Sequence, residues 1–348
     1  MSYSPGSIQT RISRLLLLAL SLQYRIARSY EREQGVSNYN VRIVFVSSLT
    51  RTFQKFEWTI PMSLASLMLS LQLPDPRIDL ELNIYMQCSS NREPMVAEYR
   101  SVTTAKTSHL LTYNTHLENL AKMYRSNGIP TTLLCSSLLY QAHCHAQSTL
   151  KDKKRSFIFL LEHDWFMHHS RISHSLFEIV DTMYLNDIHY VRFNKRNNTQ
   201  VASDSQCLRQ YDFHVSFSNK PMPLLFVGSY SNNPHVVRAV PGSQLHMKHH
   251  CRKFKSNWKE NKENKPGGKW EAHLNRICHA CSTRACSKHG CCQTFLYGYA
   301  GMQNTVSHMD GRNAWKEGMA PRIVAEMAKM RLMGNKTVED IAYIFGMH

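Results

Sequence analysis

No stretch of the 348 residues stays apolar over the ~20 positions that a membrane-spanning helix needs, which sets aside a bundle of membrane helices. Acidic residues are scarce. Twenty-five Asp and Glu stand against 42 Lys and Arg, a net charge of +17 that favours an anionic partner: nucleic acid, a phosphorylated ligand or an anionic membrane surface. The chain has no internal repeat. Its apolar fraction of 43% is ordinary for a globular protein and excludes disorder throughout, so the length accommodates one large domain or two modest ones.

The nearest approach to a membrane signal is LLLLALSL (15–22), preceded by Arg11 and Arg14. A basic segment before a short apolar run has the form of a secretory signal or the remnant of an anchor. The same residues also read as an amphipathic or partly buried first helix continuing into QYRIARSYERE. On either reading, residues 1–38 stand apart as an N-terminal helix.

Beyond it, apolar β-branched runs alternate with helical patterns. VRIVFVSS (41–48), IDLELNIYM (78–86), TTLLCS, SFIFLL and IHYVRFN read as strands. Between them FQKFEWTIPMSLASLMLSL, YNTHLENLAKMYRSNGI, SLLYQAHCHAQSTLKDKK and ISHSLFEIVDTMYLND read as helices. This alternation predicts an α/β fold, a mainly parallel sheet flanked by helices. After about residue 205 the pattern loosens. MPLLFVGS (222–229) is expected as a strand and SNNPHVV as a turn leading back into order. A basic stretch at 244–269 reads as an exposed loop or a flap over an anion, and TVEDIAYIFGMH is expected to start with a cap at Thr337 and Asp340.

The chemistry begins where the apolar run of FIFLLEHDW stops. On an extended chain Glu162 and Asp164 project to the same side and His163 to the other. Paired carboxylates at a strand end are a hard oxygen site, suited to Mg²⁺ or Mn²⁺ held with substrate phosphates. Acidic residues also follow strands without any such role.

FLLEHDW, followed by IHYVRFNKR, SNNPHVV, FLYGYAG and SHMDGR, resembles GT-A-fold glycosyltransferase-like proteins of algae and large viruses, over roughly residues 40–315. The resemblance implies a GT-A-like domain over 39–348, with a nucleotide-sugar half (39–200) and an acceptor half (201–348) that ends in an irregular Cys-rich part. It implies metal-dependent transfer of a sugar from a nucleotide-sugar to a hydroxyl acceptor on a glycan, protein or lipid, by an inverting route. Carried over, Glu162 and Asp164 bind Mn²⁺ or Mg²⁺, with His308 as a late third ligand. Glu replaces the commoner Asp at the first acid. Ser47, Thr50 and Arg51 fall near the nucleotide, and Arg312 beside a phosphate. Ser47, Thr50 and Arg51 also suit a helix cap. Glu271, after Trp270, matches the catalytic base and equally suits a solvated helix face.

Cysteines crowd one stretch: Cys278, Cys281, Cys286, Cys291 and Cys292, with Cys251 upstream. Three states are open to the 278–292 cluster: disulfides, structural zinc, or free thiols. Beside the basic loop, zinc would suit a nucleic-acid-binding protein, the alternative function. Against that, the spacing fits no standard finger, and no stripe of aromatic residues interleaves the basic ones for base stacking. A binding module that has lost activity is the other alternative. A signal or anchor at the N-terminus would place the protein in the Golgi or ER lumen or at a membrane; otherwise it is cytoplasmic.

Overall fold

The computed structural model describes residues 39–47, 56–86, 107–135, 139–150, 155–195, 198, 209–216, 218, 220–227, 229–239, 271, 272, 274, 275 and 294–308. The expected N-terminal helix, the basic loop, the Cys278–Cys292 cluster and the Thr337 cap lie outside these residues.

Strand β1 (Tyr39–Val46) leads through helix α1 (Phe56–Ser70) to β2 (Ile78–Met86) and through α2 (Thr107–Ser126) to β3 (Thr131–Cys135). Helix α3 (Leu139–Thr149) then returns the chain to β4 (Ser156–Glu162), which lies on the other side of β1. After the short β5 (Trp165–Met167) come α4 (Leu176–Leu185) and β6 (Tyr190–Arg192). Strands β7 (Arg209–Phe213), β8 (Met222–Phe226), β9 (His235–Arg238), β10 (Thr294–Tyr297) and β11 (Val306–His308) complete the described elements.

Nine strands form one sheet in the order β3-β2-β1-β4-β9-β6-β10-β8-β7, and β11 pairs with β5 in a second, two-stranded sheet. The first four neighbours run parallel. The fold is therefore α/β, a sheet flanked by helices, as expected, although the sheet is mixed beyond β4: β9 is antiparallel to both β4 and β6, and β8 to β10 and β7. SNNPHVV leads back into regular structure, as expected. Its last residues open β9, at the middle of the sheet, a position that comes from long-range pairing, which a four-residue strand does not announce in its own sequence.

The apolar runs are continuous because both faces of the sheet are covered. Val41, Ile43, Phe45, Phe157, Phe159 and Leu161 belong to one buried cluster, shared with α1, α2 and α4. The alternating residues Val44, Val46, Ile158 and Leu160 belong to another, which includes Ala142 and Ala146 of α3. Each such side chain stabilises the fold by about 1.5–3 kcal/mol when fully buried. Helix α4 starts at a capping box, in which the Ser175 hydroxyl accepts from the Glu178 amide and the Glu178 carboxylate accepts from the Ser175 amide. Among the described residues no helix is long and apolar enough to cross a membrane.

Candidate functional site

From β1 the chain winds outward to β2 and β3, then crosses back so that β4 lies on the opposite side of β1. The strand order thus reverses between β1 and β4. In open α/β sheets the crevice outside the carboxyl ends at such a reversal is where ligands bind. Val46, the last residue of β1, is in register with Glu162, the last of β4. The acid-x-acid motif therefore begins at the rim of that crevice.

Beyond Glu162 the backbone departs from the extended course expected of it. His163 and Asp164 form a turn, and β5 starts at Trp165. The two acids are brought together by this turn, and the His163 amide donates to the Val46 carbonyl at 3.0 Å. A line of serines on α1, at 63, 66 and 70, holds the segment from the far side. The Ser63 hydroxyl donates to the Glu162 carbonyl (3.3 Å), Ser66 Oγ accepts from the Met167 amide (3.1 Å), and Ser70 donates to the Met167 carbonyl (3.2 Å). The 3- and 4-residue spacing sets them on one helix face. That spacing was visible in PMSLASLMLS, among otherwise apolar residues, and its role was not.

Burial pushes the Glu162 carboxyl up to about 8, and the charges of Asp164 and then Glu271 push in the same direction, opposed by Lys195. Glu271 thus lies within electrostatic reach of the acid turn although 109 residues separate it from Glu162 in sequence. Its Oε1 accepts from the Asn232 amide at 3.1 Å, and four residues on, Asn275 Oδ1 accepts from the Tyr230 amide at 2.7 Å. The 271–275 segment therefore ties down the 230–232 loop beside the acids. Lys195 follows β6, with its ammonium 5.9 Å from the centre of the Trp165 ring.

The β5–β11 pairing places the backbone of His308 directly across from Trp165, one residue past Asp164. Ser307 Oγ and His168 Nε2 are 2.7 Å apart, and the His168 amide donates to the Thr305 carbonyl, so this second sheet is fastened at its far end. Four of the expected site residues therefore converge: Glu162, Asp164, Glu271 and the main chain of His308. Ser47 sits at the same end of β1 but is fully buried, and its hydroxyl accepts from the Tyr113 hydroxyl at 2.8 Å. Its side chain is committed to the protein interior. Thr50, Arg51 and Arg312 lie outside the described residues.

Carboxylate oxygens crowded to this degree fit a hard divalent cation, which would offset the repulsion that raises Glu162. Among the described residues no group of three or more His, Cys, Asp and Glu gathers at ligating distance. Elsewhere, Cys135 at the end of β3 and Cys144 on α3 are disulfide-bonded, two residues whose isolated positions in the sequence gave no sign of it.

No family model matches the chain, and no curated protein matches it significantly in sequence. Solved structures do align with it. A cytidylyltransferase of Leptospira borgpetersenii is 9% identical and overlaps 85% of this chain and 98% of its own, with a TM-score of 0.38. Mouse xyloside xylosyltransferase 1 is 7% identical over 79% of this chain and 98% of its own, with a TM-score of 0.37. The 4-diphosphocytidyl-2C-methyl-D-erythritol synthase of Anaerococcus prevotii is 8% identical over 84% and 96%, with a TM-score of 0.35. Overlaps this loose carry no inference to this chain.

Proposed function

We propose that the chain is a metal-dependent glycosyltransferase that moves a sugar from a nucleotide-sugar to a hydroxyl acceptor. The observation that carries this reading is the convergence of Glu162, Asp164 and Glu271 at the carboxyl edge where the strand order reverses between β1 and β4. Glu162 and Asp164 would hold Mn²⁺ or Mg²⁺, with His308 as a third ligand. The ion supplies Lewis-acid stabilisation for the charge that builds on a departing diphosphate. Lys195 is a cation at the same rim and suits the same phosphates.

In this reading Glu271 is the general base. As the acceptor oxygen bonds to the anomeric carbon, its proton passes to the Glu271 carboxylate, and the bond to the diphosphate breaks with its electron pair leaving on phosphate oxygen. Attack opposite the leaving group inverts the centre. The hydrogen bond from the Asn232 amide orients the carboxylate for this task. The basic residues of 244–269, with Thr50, Arg51 and Arg312, would supply contacts and positive charge to the nucleotide diphosphate. The disulfide-bonded Cys135 and Cys144 support residence in an oxidising compartment, the Golgi or ER lumen.

The test is thermal stability of the full chain with Mn²⁺ and a panel of nucleoside diphosphates, for the wild type and Asp164→Ala. A metal-dependent rise with one nucleotide, absent in the variant, is expected, since a ligand stabilises by mass action. No rise with any nucleotide would sink the reading and favour a nucleic-acid binder or an inactive binding module.

A further inference from the structure

Among the described residues α3 is the least apolar of the helices that cover the sheet. Its buried apolar side chains are Ala142 and Ala146, with Leu150 just past its end, whereas α1 sets Ile60, Leu64, Leu67 and Met68 against the opposite face. The inward stripe of α3 also carries His143 and Gln147, four residues apart on one helix face and only 1% and 5% exposed. Both ring nitrogens of His143 and the Oε1 of Gln147 are buried with no hydrogen-bond partner. Little apolar burial therefore holds α3 down, and its unpaired polar atoms favour water.

Across from His143 stands His235 of β9, fully buried, with ring centres 6.1 Å apart. His235 Nδ1 donates to the Asn233 carbonyl at 2.7 Å, which leaves a bare, unpartnered Nε2 on a neutral ring. The sheet sets Arg192 of β6, itself buried, in register with His235, and Leu160 of β4 on the other side. Each other polar group nearby has its own partner. The Tyr190 hydroxyl donates to the Ser231 carbonyl, the Tyr85 hydroxyl is 2.9 Å from His145 on the outer side of α3, and Arg42 of β1 pairs with Glu81. At the rim Glu162 faces Asp164 and Glu271, and Glu271 accepts from the Asn232 amide. Burial pushes His143 down to about 3, with the charge of His235 adding to it. Burial likewise pushes His235 down to about 4, opposed by the Asn233 carbonyl and reinforced by Arg192.

We propose that α3 is an acid-released cover, which lies on the sheet while His143 and His235 are neutral and swings off when they take up protons, uncovering the apolar face of Val44, Ile158 and Leu160. A proton on either ring inside the closed structure meets a second ring and the Arg192 guanidinium instead of a counter-ion, so the charge is relieved by reaching water. The helix moves and the strand stays, because β9 is paired on both sides, with β4 and β6. Cys144, next to His143, is disulfide-bonded, a tether that keeps the opened helix in place to close again. The open state binds protons below its ordinary pKa of about 6.5 that the closed state resists, so closure is present above that pH and lost as it falls. This device does not rest on the glycosyltransferase reading.

The test is amide hydrogen exchange of the full chain, resolved by segment with mass spectrometry and corrected for the intrinsic pH dependence of exchange. Two protons should raise the opening of α3 about 100-fold between about pH 7.5 and 5.5, and His143→Leu, which keeps one titrating ring, should cut this to about tenfold. The amides of β1 should stay better protected than those of α3 throughout, as expected of a local opening. A change below about tenfold in the wild type overturns the proposal, and so does an undiminished change in the folded variant. Equal protection of α3 and β1 at each pH also overturns it, since the sheet then unfolds as a whole. Should His143→Leu not fold, His143→Gln takes its place, and if neither folds the wild-type curve decides by the same limits.

Discussion

The two halves of the large sheet are built by different rules. From β3 to β4 the strands run parallel, are five to nine residues long, and are joined by helices that the chain forms between them. From β9 to β7 they are three to five residues long and mostly antiparallel, and β10 enters between β6 and β8 from far along the sequence. The first half carries its instructions locally, in apolar runs and helical periods. The second depends on partners that only the assembled sheet supplies. The candidate site draws on both: Glu162 and Asp164 end the first half, and Glu271 and the 230–232 loop come with the second.

The sharpest way to break this contrast is Phe159→Ala. Phe159 on β4 is fully buried, and its ring centre lies 5.8 Å from that of Phe193, just after β6. The truncation should cost about 3–5 kcal/mol in denaturant unfolding, through lost burial and a cavity at the seam. One shared transition for both halves, followed by two spectroscopic probes, is expected; separate transitions would show two independent units. Next in size, Asp164→Ala should lower sugar transfer about 10²–10³-fold, a loss comparable to removing one preorganised charge-stabilising group. Its unfolding temperature without metal should be unchanged or raised, because the variant removes a charge that repels Glu162. A loss of activity that tracks a loss of folded protein would refute the catalytic assignment.

Ser66→Ala tests how α1 holds the acid turn. Without the hydroxyl the Met167 amide loses its acceptor in a buried setting, at a cost of about 1–3 kcal/mol. Equal stability of variant and wild type would mean that the serine line is incidental. The smallest effect concerns pH. Burial, the largest cause, holds His174 below its usual 6.5, with its Nδ1 2.8 Å from the Tyr297 hydroxyl. Below 6.5 the unfolded chain binds the proton that the folded chain resists, so stability present above that pH is lost as pH falls. His174→Gln should flatten the fall between pH 6.5 and 5, by at most about 1.4 kcal/mol per pH unit. An unchanged slope would place the titrating group elsewhere.

Much of the first half was legible. IDLELNIYM is β2 end to end, and SFIFLL delivers the acids to the carboxyl edge of the sheet. The turn at His163–Asp164 was not, because nothing in EHDW distinguishes a continuing strand from one that folds back to meet β11. Ser47 was expected near a nucleotide by resemblance, or as a helix cap; only the packed α2 shows that the Tyr113 hydroxyl donates to it. The place of Glu271 was hidden for a plainer reason: 109 residues separate it from Glu162, and only the packed structure brings its charge within reach of the acid turn.

The central place of β9 has a consequence in time. During synthesis β4 leaves the ribosome with β1 on one side and nothing to pair with on the other, since β9 ends 76 residues later. At typical elongation rates that interval lasts roughly 4–15 s, far longer than a hairpin needs to form. For those seconds a strand with five consecutive apolar residues, Phe157 to Leu161, is an open edge beside other nascent chains, and the folding yield in the cell depends on what shields it.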